Sequence, residues 1–194
     1  MNTKILPIKD IEHIQTIYSE HLVKDFPFNE VMPFSGIEKM MDSHMYECYG
    51  LYCDDKFAGY AFFLKQITAG YNNYLLDYFA MLPEYRDQGY GSVFLGQLKE
   101  VLRDADCILV EADDPDQVEN DAERKIRLRR IDFYKRNGYI PTKHTMKVFG
   151  ADYRLMVLPI AGAFITDRAR QFYEVIYKSR MPEHIFKAFF QWTE

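Results

Sequence analysis

YLLDYFAMLPEYRDQGYGSVFLGQLK, residues 74–99, is the stretch around which the rest of the chain is arranged. Leu75 to Leu82 is aromatic and aliphatic except for Asp77, which predicts a buried strand. Pro83 ends it, and Glu84-Tyr85-Arg86-Asp87-Gln88 reads as a polar turn. Gly89 and Gly91 then bracket the start of an amphipathic helix whose apolar face includes Phe94, Leu98, Val101 and Leu102. Glycine at a helix start lets the backbone come close to a ligand, and the unpaired amides of the first turn favour an anion. Arg86 adds a cationic fork beside them. A strand feeding such a turn predicts a phosphorylated cofactor.

The spacing is neither that of a P-loop nor that of a dinucleotide-binding turn. It is R-x-x-G-x-G, here Arg86-Asp87-Gln88-Gly89-Tyr90-Gly91, directly after a strand ending Ala80-Met81-Leu82-Pro83. With its strand and helix, this resembles the acetyl-CoA motif of the GNAT superfamily of N-acetyltransferases. A second place carries the same resemblance. FYKRNGY, residues 133–139, sets Tyr134, Gly138 and Tyr139 in the Y-x-x-x-G-[FY] pattern found in GNAT proteins where a helix meets the last strands. The likeness covers roughly Ile5 to Leu158.

The chain of 194 residues suits one domain with a sizeable core, 48% of its residues being hydrophobic, with fifteen Tyr and fifteen Phe. A net charge of −5 gives no ground for a general nucleic-acid binder and would tolerate a cationic substrate such as an amine. No run approaches the length of a membrane span, and MNTKILPIKD at the start lacks the apolar core of a signal peptide. Cys48, Cys53 and Cys107 show no C-x-x-C spacing, and His13, His21, His44, His144 and His184 are scattered. Neither set reads as a metal site or a disulfide framework, so a cytoplasmic protein without metal or membrane partner is expected.

In chain order, Ile5 to Ile8 is a short strand. Asp10 can cap a helix with Ile11, Ile14, Ile17, Tyr18 and Leu22 on its apolar face. Asp25 to Phe34 holds two prolines and three Phe and reads as an aromatic loop, after which Ser35 caps a short helix, Ile37 to Ser43. YECYGLYC and FAGYAFFLK, joined by Asp54-Asp55-Lys56, form a hairpin, and a loop from Thr68 to Asn73 returns to the central strand. Cys107 to Ala112 is a buried strand, followed by an acidic loop from Asp113 to Asn120. The next helix sets Leu128, Ile131 and Tyr134 at threefold spacing, and Gly138 stops it. Its basic cluster, Arg124, Lys125, Arg127, Arg129 and Arg130, is read as a solvated face rather than a nucleic-acid surface. Lys143 to Phe149 and Tyr153 to Leu158, around Gly150-Ala151-Asp152, make a terminal hairpin. Beyond Pro159 come two helices, Phe164 to Tyr177 and the aromatic stretch from Pro182 to Trp192. This tail reads as a pad packed on the sheet, with a homodimer contact or a lid over the acceptor as alternatives.

The expected fold is therefore α/β of the α+β type: a central mixed, mostly antiparallel twisted sheet with flanking helices. It forms one domain over 1–194, a GNAT-like core (1–158) and a C-terminal helical extension (159–194). The resemblance also implies a site. Backbone groups of Phe79, Ala80 and Met81 would hold pantetheine in a splay between this strand and Cys107 to Ala112, with the Met81 amide as oxyanion donor. Arg86, Asp87, Gln88, Gly89, Tyr90, Gly91 and Ser92 would hold the pyrophosphate. Tyr134 matches the tyrosine that protonates the leaving thiolate; a phenol is protonated at neutral pH. Asp77 is the candidate base, because a carboxylate interrupting a buried strand is costly unless paired or functional, and Glu111 is its rival. Phe28 and Glu30, in the loop between the first two helices, are candidate acceptor contacts. The implied activity is acetyl transfer from acetyl-CoA to a small primary amine. The alternatives are a non-catalytic acyl-CoA-binding or sensing module, or an acetyltransferase for protein or peptide amines.

Overall fold

The computed structural model describes residues 2–68, 70–160 and 168–193, and only the backbone of Ile67 and Thr68. The chain divides into two compact units, Met1–Gln66 with Leu76–Arg103, and Ile67–Leu75 with Asp104–Glu194. The expected loop residue Ala69 and the first turn of the helix expected from Phe164 lie outside the described residues.

In the first unit β1 (Thr3–Ile8) leads into α1 (Ile11–Ile17), which passes through a π-helical turn, Tyr18–Leu22, to the short α2 (Val23–Asp25). Asp10 caps α1 as its side chain suggests, Oδ1 accepting from the Glu12 amide at 3.2 Å. Ile14, Ile17 and Leu22 are buried, whereas Ile11, in the first turn, stays exposed. The next helix, α3 (Phe34–Asp42), starts three residues before the expected Ile37. Pro33, at φ −54° and ψ 139°, occupies the cap position, so Ser35 falls inside the first turn, where its hydroxyl cannot cap.

The hairpin of β2 (Tyr46–Cys53) and β3 (Lys56–Thr68) turns on Asp54 and Asp55, both left-handed at φ 46° and 65°. That is the geometry a tight two-residue connection demands, and Asp tolerates it. The strand order here is β1-β2-β3-β4, where β4 (Tyr71–Met81) contributes its second half to this unit. The helix α4 (Tyr90–Val101) buries Tyr90, Phe94, Leu95 and Leu98, with Leu102 just beyond it. Val101, expected on the same face, is exposed at the helix end.

The second unit has the order β4-β5-β7-β6-β8. Here β4 begins at Tyr71, earlier than the expected Leu75, because the polar residues that suggest a loop are paired. The Asn72 amide donates to Asp106 Oδ2 at 2.6 Å, and the Asp106 amide donates to the Asn72 carbonyl at 2.8 Å. β5 (Cys107–Asp113) precedes α5 (Asp121–Arg136), which Asn120 caps with one carbonyl oxygen accepting from two amides at 2.9 and 3.1 Å. On α5 Ile131 and Tyr134 are buried, but Leu128 is exposed, so the apolar stripe is shorter than its spacing suggests. Three of the basic residues turn to the acidic loop: Arg124 pairs with Asp116, Arg127 donates to the Asp114 carbonyl, and Arg130 pairs with Asp113. The antiparallel hairpin β6 (Ile140–Val148) and β7 (Ala151–Pro159) turns at Phe149 and Gly150, both at positive φ, one residue ahead of the expected turn.

The tail belongs to this unit. It forms α6 (Ala169–Arg180), α7 (Glu183–Phe189) and a last short strand, β8 (Phe190–Trp192), which pairs with β6 from Met146↔Trp192 to Val148↔Phe190. Tyr173 and Tyr177 of α6 are buried, and both hydroxyls donate to Glu111 Oε1 on β5. Replacing both tyrosines by Phe leaves that carboxylate oxygen without its two donors. The double variant is expected to lose about 3 kcal/mol of unfolding free energy in urea titration, while an unchanged midpoint would show that the tail is held by its apolar contacts alone.

Candidate active site

In the first unit the proposed cofactor turn follows β4 directly. Asp87 and Gly89 are left-handed, at φ 58° and 83°, and a side chain added at Gly89 would meet nothing within 4 Å. Gly89 is the cap residue of α4 and supplies no side-chain cap, so the first-turn amides have no side-chain acceptor at that position. An open, uncapped helix start fits an anionic group such as a pyrophosphate. Gln88 and Ser92 are exposed beside it. Arg86 is fixed at the same place: its Nε donates to the Met81 carbonyl at 2.8 Å, and its Nη2 donates to Asp25 Oδ1 at 2.7 Å. Its side chain remains 46% exposed, so it can still reach an anion.

The strand end carries a constraint that the motif does not include. A Cβ on Gly59 of β3 would stand 2.7 Å from the Ala80 carbonyl oxygen and 2.8 Å from Met81 Sδ. Phe79, Ala80 and Met81 are the residues whose backbone the resemblance assigns to pantetheine. Gly59→Ala is expected to lower stability by about 1–3 kcal/mol and to weaken acetyl-CoA binding by displacing this strand end. A variant that binds acetyl-CoA as wild type does would show the strand end to be compliant. An isolated glycine in a strand pattern was the available sequence signal for such a close approach.

Asp77 lies near the start of this half-strand, and its Oδ2 accepts a short hydrogen bond from the buried Tyr46 hydroxyl. Burial, and then the neighbouring Asp77 charge, hold the Tyr46 phenol well above its ordinary pKa, so it stays a donor. Tyr78 anchors the aromatic loop, accepting from the Met32 amide at 2.8 Å and donating to the Glu30 carbonyl at 2.9 Å. Phe26 packs edge-on against its ring at 5.1 Å. Glu30 is thus brought to β4 through its backbone, while Phe28 projects into solvent at 95% exposure.

In the second unit Tyr134 is buried near the end of α5, its ring 5.2 Å from that of Tyr139. Gly138, at φ 90°, reverses the chain between them, and its amide donates to the Lys135 carbonyl at 3.0 Å. Burial pushes the Tyr134 phenol up to about 12, with Arg130 pulling it down and Asp113 raising it. It is therefore protonated throughout the neutral and mildly alkaline range. Glu111 accepts the two tail hydroxyls described above. Among the described residues no cluster of three or more His, Cys, Asp or Glu could hold a metal, and no helix is long and apolar enough to cross a membrane. Tyr46, Asp25 and Gly59 are residues of these arrangements that the motifs leave out.

A profile of the Acetyltransferase (GNAT) family matches residues 10–139. No curated protein sequence matches the chain. Among solved structures, a protein from Bacteroides thetaiotaomicron assigned to the GNAT acetyltransferases superposes with a TM-score of 0.69 at 23% identity, covering 94% of this chain and 98% of its own. Arabidopsis thaliana Naa50, in complex with the bisubstrate analogue CoA-Ac-MVNAL, gives 0.58 at 15% identity over 84% of this chain and 100% of that one. A spermidine N-acetyltransferase SpeG chimera from Vibrio cholerae and hSSAT gives 0.56 at 12% identity, covering 88% and 99%. These likenesses extend the fold beyond the matched segment, and with the profile spanning more than half of the sequence, the chain belongs to the Acetyltransferase (GNAT) family of enzymes.

Proposed function

We propose that this chain transfers the acetyl group of acetyl-CoA to the primary amine of a small molecule by direct attack. The observation that carries the cofactor assignment is the open, uncapped start of α4 at Gly89, with Arg86 fixed beside it by the Met81 carbonyl. Acetyl-CoA supplies the acetyl group as a thioester. The amides from Gln88 to Ser92, with Arg86, receive its pyrophosphate, and Asp87 and Gly89 give the turn its shape. Backbone groups of Phe79, Ala80 and Met81 orient the pantetheine arm. The Met81 N–H stabilises the charge that develops on the carbonyl oxygen.

The acceptor nitrogen must be neutral to attack, so Asp77 takes its proton. Asp77 is preferred to Glu111 because Glu111 Oε1 is tied to the Tyr173 and Tyr177 hydroxyls of the tail, whereas Asp77 lies on the same strand as the backbone groups assigned to the pantetheine arm. As the new C–N bond forms, the C–S bond breaks and Tyr134 gives its proton to the departing thiolate, and the second proton that the nitrogen sheds on becoming an amide returns through solvent to the Tyr134 oxygen. Glu30, whose backbone the Tyr78 hydroxyl holds against β4, contacts the acceptor, while Phe28, turned to solvent, is given no contact.

The test is release of free CoA thiol from acetyl-CoA across a panel of small amines and peptides, with mass analysis of each product. Turnover with a small amine supports the reading. Acetylated peptides alone would move the acceptor class to protein amines, and acetyl-CoA binding with no turnover on any acceptor would favour a binding module.

A further inference from the structure

Asp25 ends α2 and opens the aromatic segment, and no part of the cofactor motif includes it. Its side chain is only 16% exposed, and its two oxygens serve different partners. Oδ2 accepts from the hydroxyl of Tyr60 at 2.8 Å; Tyr60 is a wholly buried residue of β3. Oδ1 accepts from Arg86 Nη2 at 2.7 Å. Burial, then the hydrogen bond to Asp25, push the Tyr60 phenol far up, so this hydroxyl remains a donor. The carboxylate is therefore tied to the sheet on one side and to the motif arginine on the other.

From this geometry we infer that Asp25 is a positioning residue for Arg86, holding the guanidinium in the orientation that receives the cofactor's pyrophosphate; this rests on the cofactor reading above. The bond from Nε to the Met81 carbonyl fixes one point of the guanidinium plane, and that from Nη2 to Asp25 fixes a second. With two points held, a long and half-exposed side chain loses its rotational freedom before the ligand arrives. Tyr60 keeps Asp25 from following Arg86 into solvent.

Charge alone predicts the opposite outcome, which makes the inference decidable. Asp25 neutralises Arg86, so if its effect were only electrostatic, removing it would strengthen the binding of an anion. A positioning role makes its removal weaken binding, and only while Arg86 is present.

The experiment is calorimetric titration of CoA into wild type, Asp25→Ala, Arg86→Ala and the double variant, with thermal melting to confirm that each is folded. Asp25→Ala is expected to raise the Kd for CoA about tenfold, and the double variant is expected to bind no more weakly than Arg86→Ala. Asp25→Asn, which keeps one acceptor oxygen, is expected to fall between wild type and Asp25→Ala. Unchanged or tighter binding by Asp25→Ala, or losses that simply add in the double variant, would overturn the inference. If Arg86→Ala binds CoA as wild type does, the cofactor reading beneath it fails as well, an outcome distinct from Asp25→Ala alone being silent.

Discussion

Tyr134→Phe is expected to lower kcat about a hundredfold, the range of a lost general acid, while the affinity for acetyl-CoA is unchanged. The change removes one oxygen from a buried ring that packs against Tyr139, so packing is nearly conserved and the loss is assigned to proton donation. The pH profile separates the two contributions. Burial raises this phenol to about 12, so the acid stays protonated at neutral and mildly alkaline pH, and an alkaline loss of kcat from Tyr134 is expected only as the pH nears that value. The same shift bears on stability. A phenol with a raised folded-state pKa contributes stability that is complete below its unfolded value, near 10, and is lost as pH climbs towards about 12. Wild type should therefore become easier to unfold across that window, and Tyr134→Phe should show less of the loss. Equal kcat in the variant would move the acid elsewhere.

Asp77→Asn is the second large effect: a fall in kcat of about a hundredfold with acetyl-CoA binding retained. Asparagine keeps the shape and can still accept from the Tyr46 hydroxyl, but it cannot take a proton from the acceptor. Tyr46→Phe should cost less, because it removes a donor that steadies the carboxylate and not the base itself. Steady-state rates for both variants, alongside Glu111→Gln, decide between the two carboxylates. Should Glu111→Gln lose kcat while Asp77→Asn keeps it, the assignment is reversed.

The parts of this protein that were readable in its sequence are those set by local rules. The polar turn between β4 and α4, the Asp10 cap and the Gly138 stop each need only neighbouring residues, and each stands where the pattern puts it; the hairpin turn is one residue shorter than the expected Asp54-Asp55-Lys56, since Lys56 already pairs with Cys53. Periodicity located α4 and α5 but overextended their apolar faces, since Val101 and Leu128 are exposed. The order β5-β7-β6 and the edge strand β8 were not legible, because pairing between strands distant in sequence leaves no mark in a three-residue run such as Phe190–Trp192.

The same holds for the partners of the candidate site. Asp77 stood out as a lone charge in an apolar strand, but Tyr46, 31 residues earlier, gave no sign of bonding to it. Arg86 stood out by its motif, yet Asp25 lies 61 residues away and reads locally as an ordinary helix-terminal acid. Glu111 was visible as a carboxylate on a buried strand, whereas its two hydroxyl donors come from a tail with no motif of its own.

The most direct test of the account is a crystal structure of this chain with acetyl-CoA bound. It should show the pyrophosphate against the amides from Gln88 to Ser92, Arg86 in contact with it, and the thioester carbonyl oxygen within hydrogen-bond distance of the Met81 amide. A nucleotide seated elsewhere, with the Gly89 turn empty at saturating ligand, would contradict it.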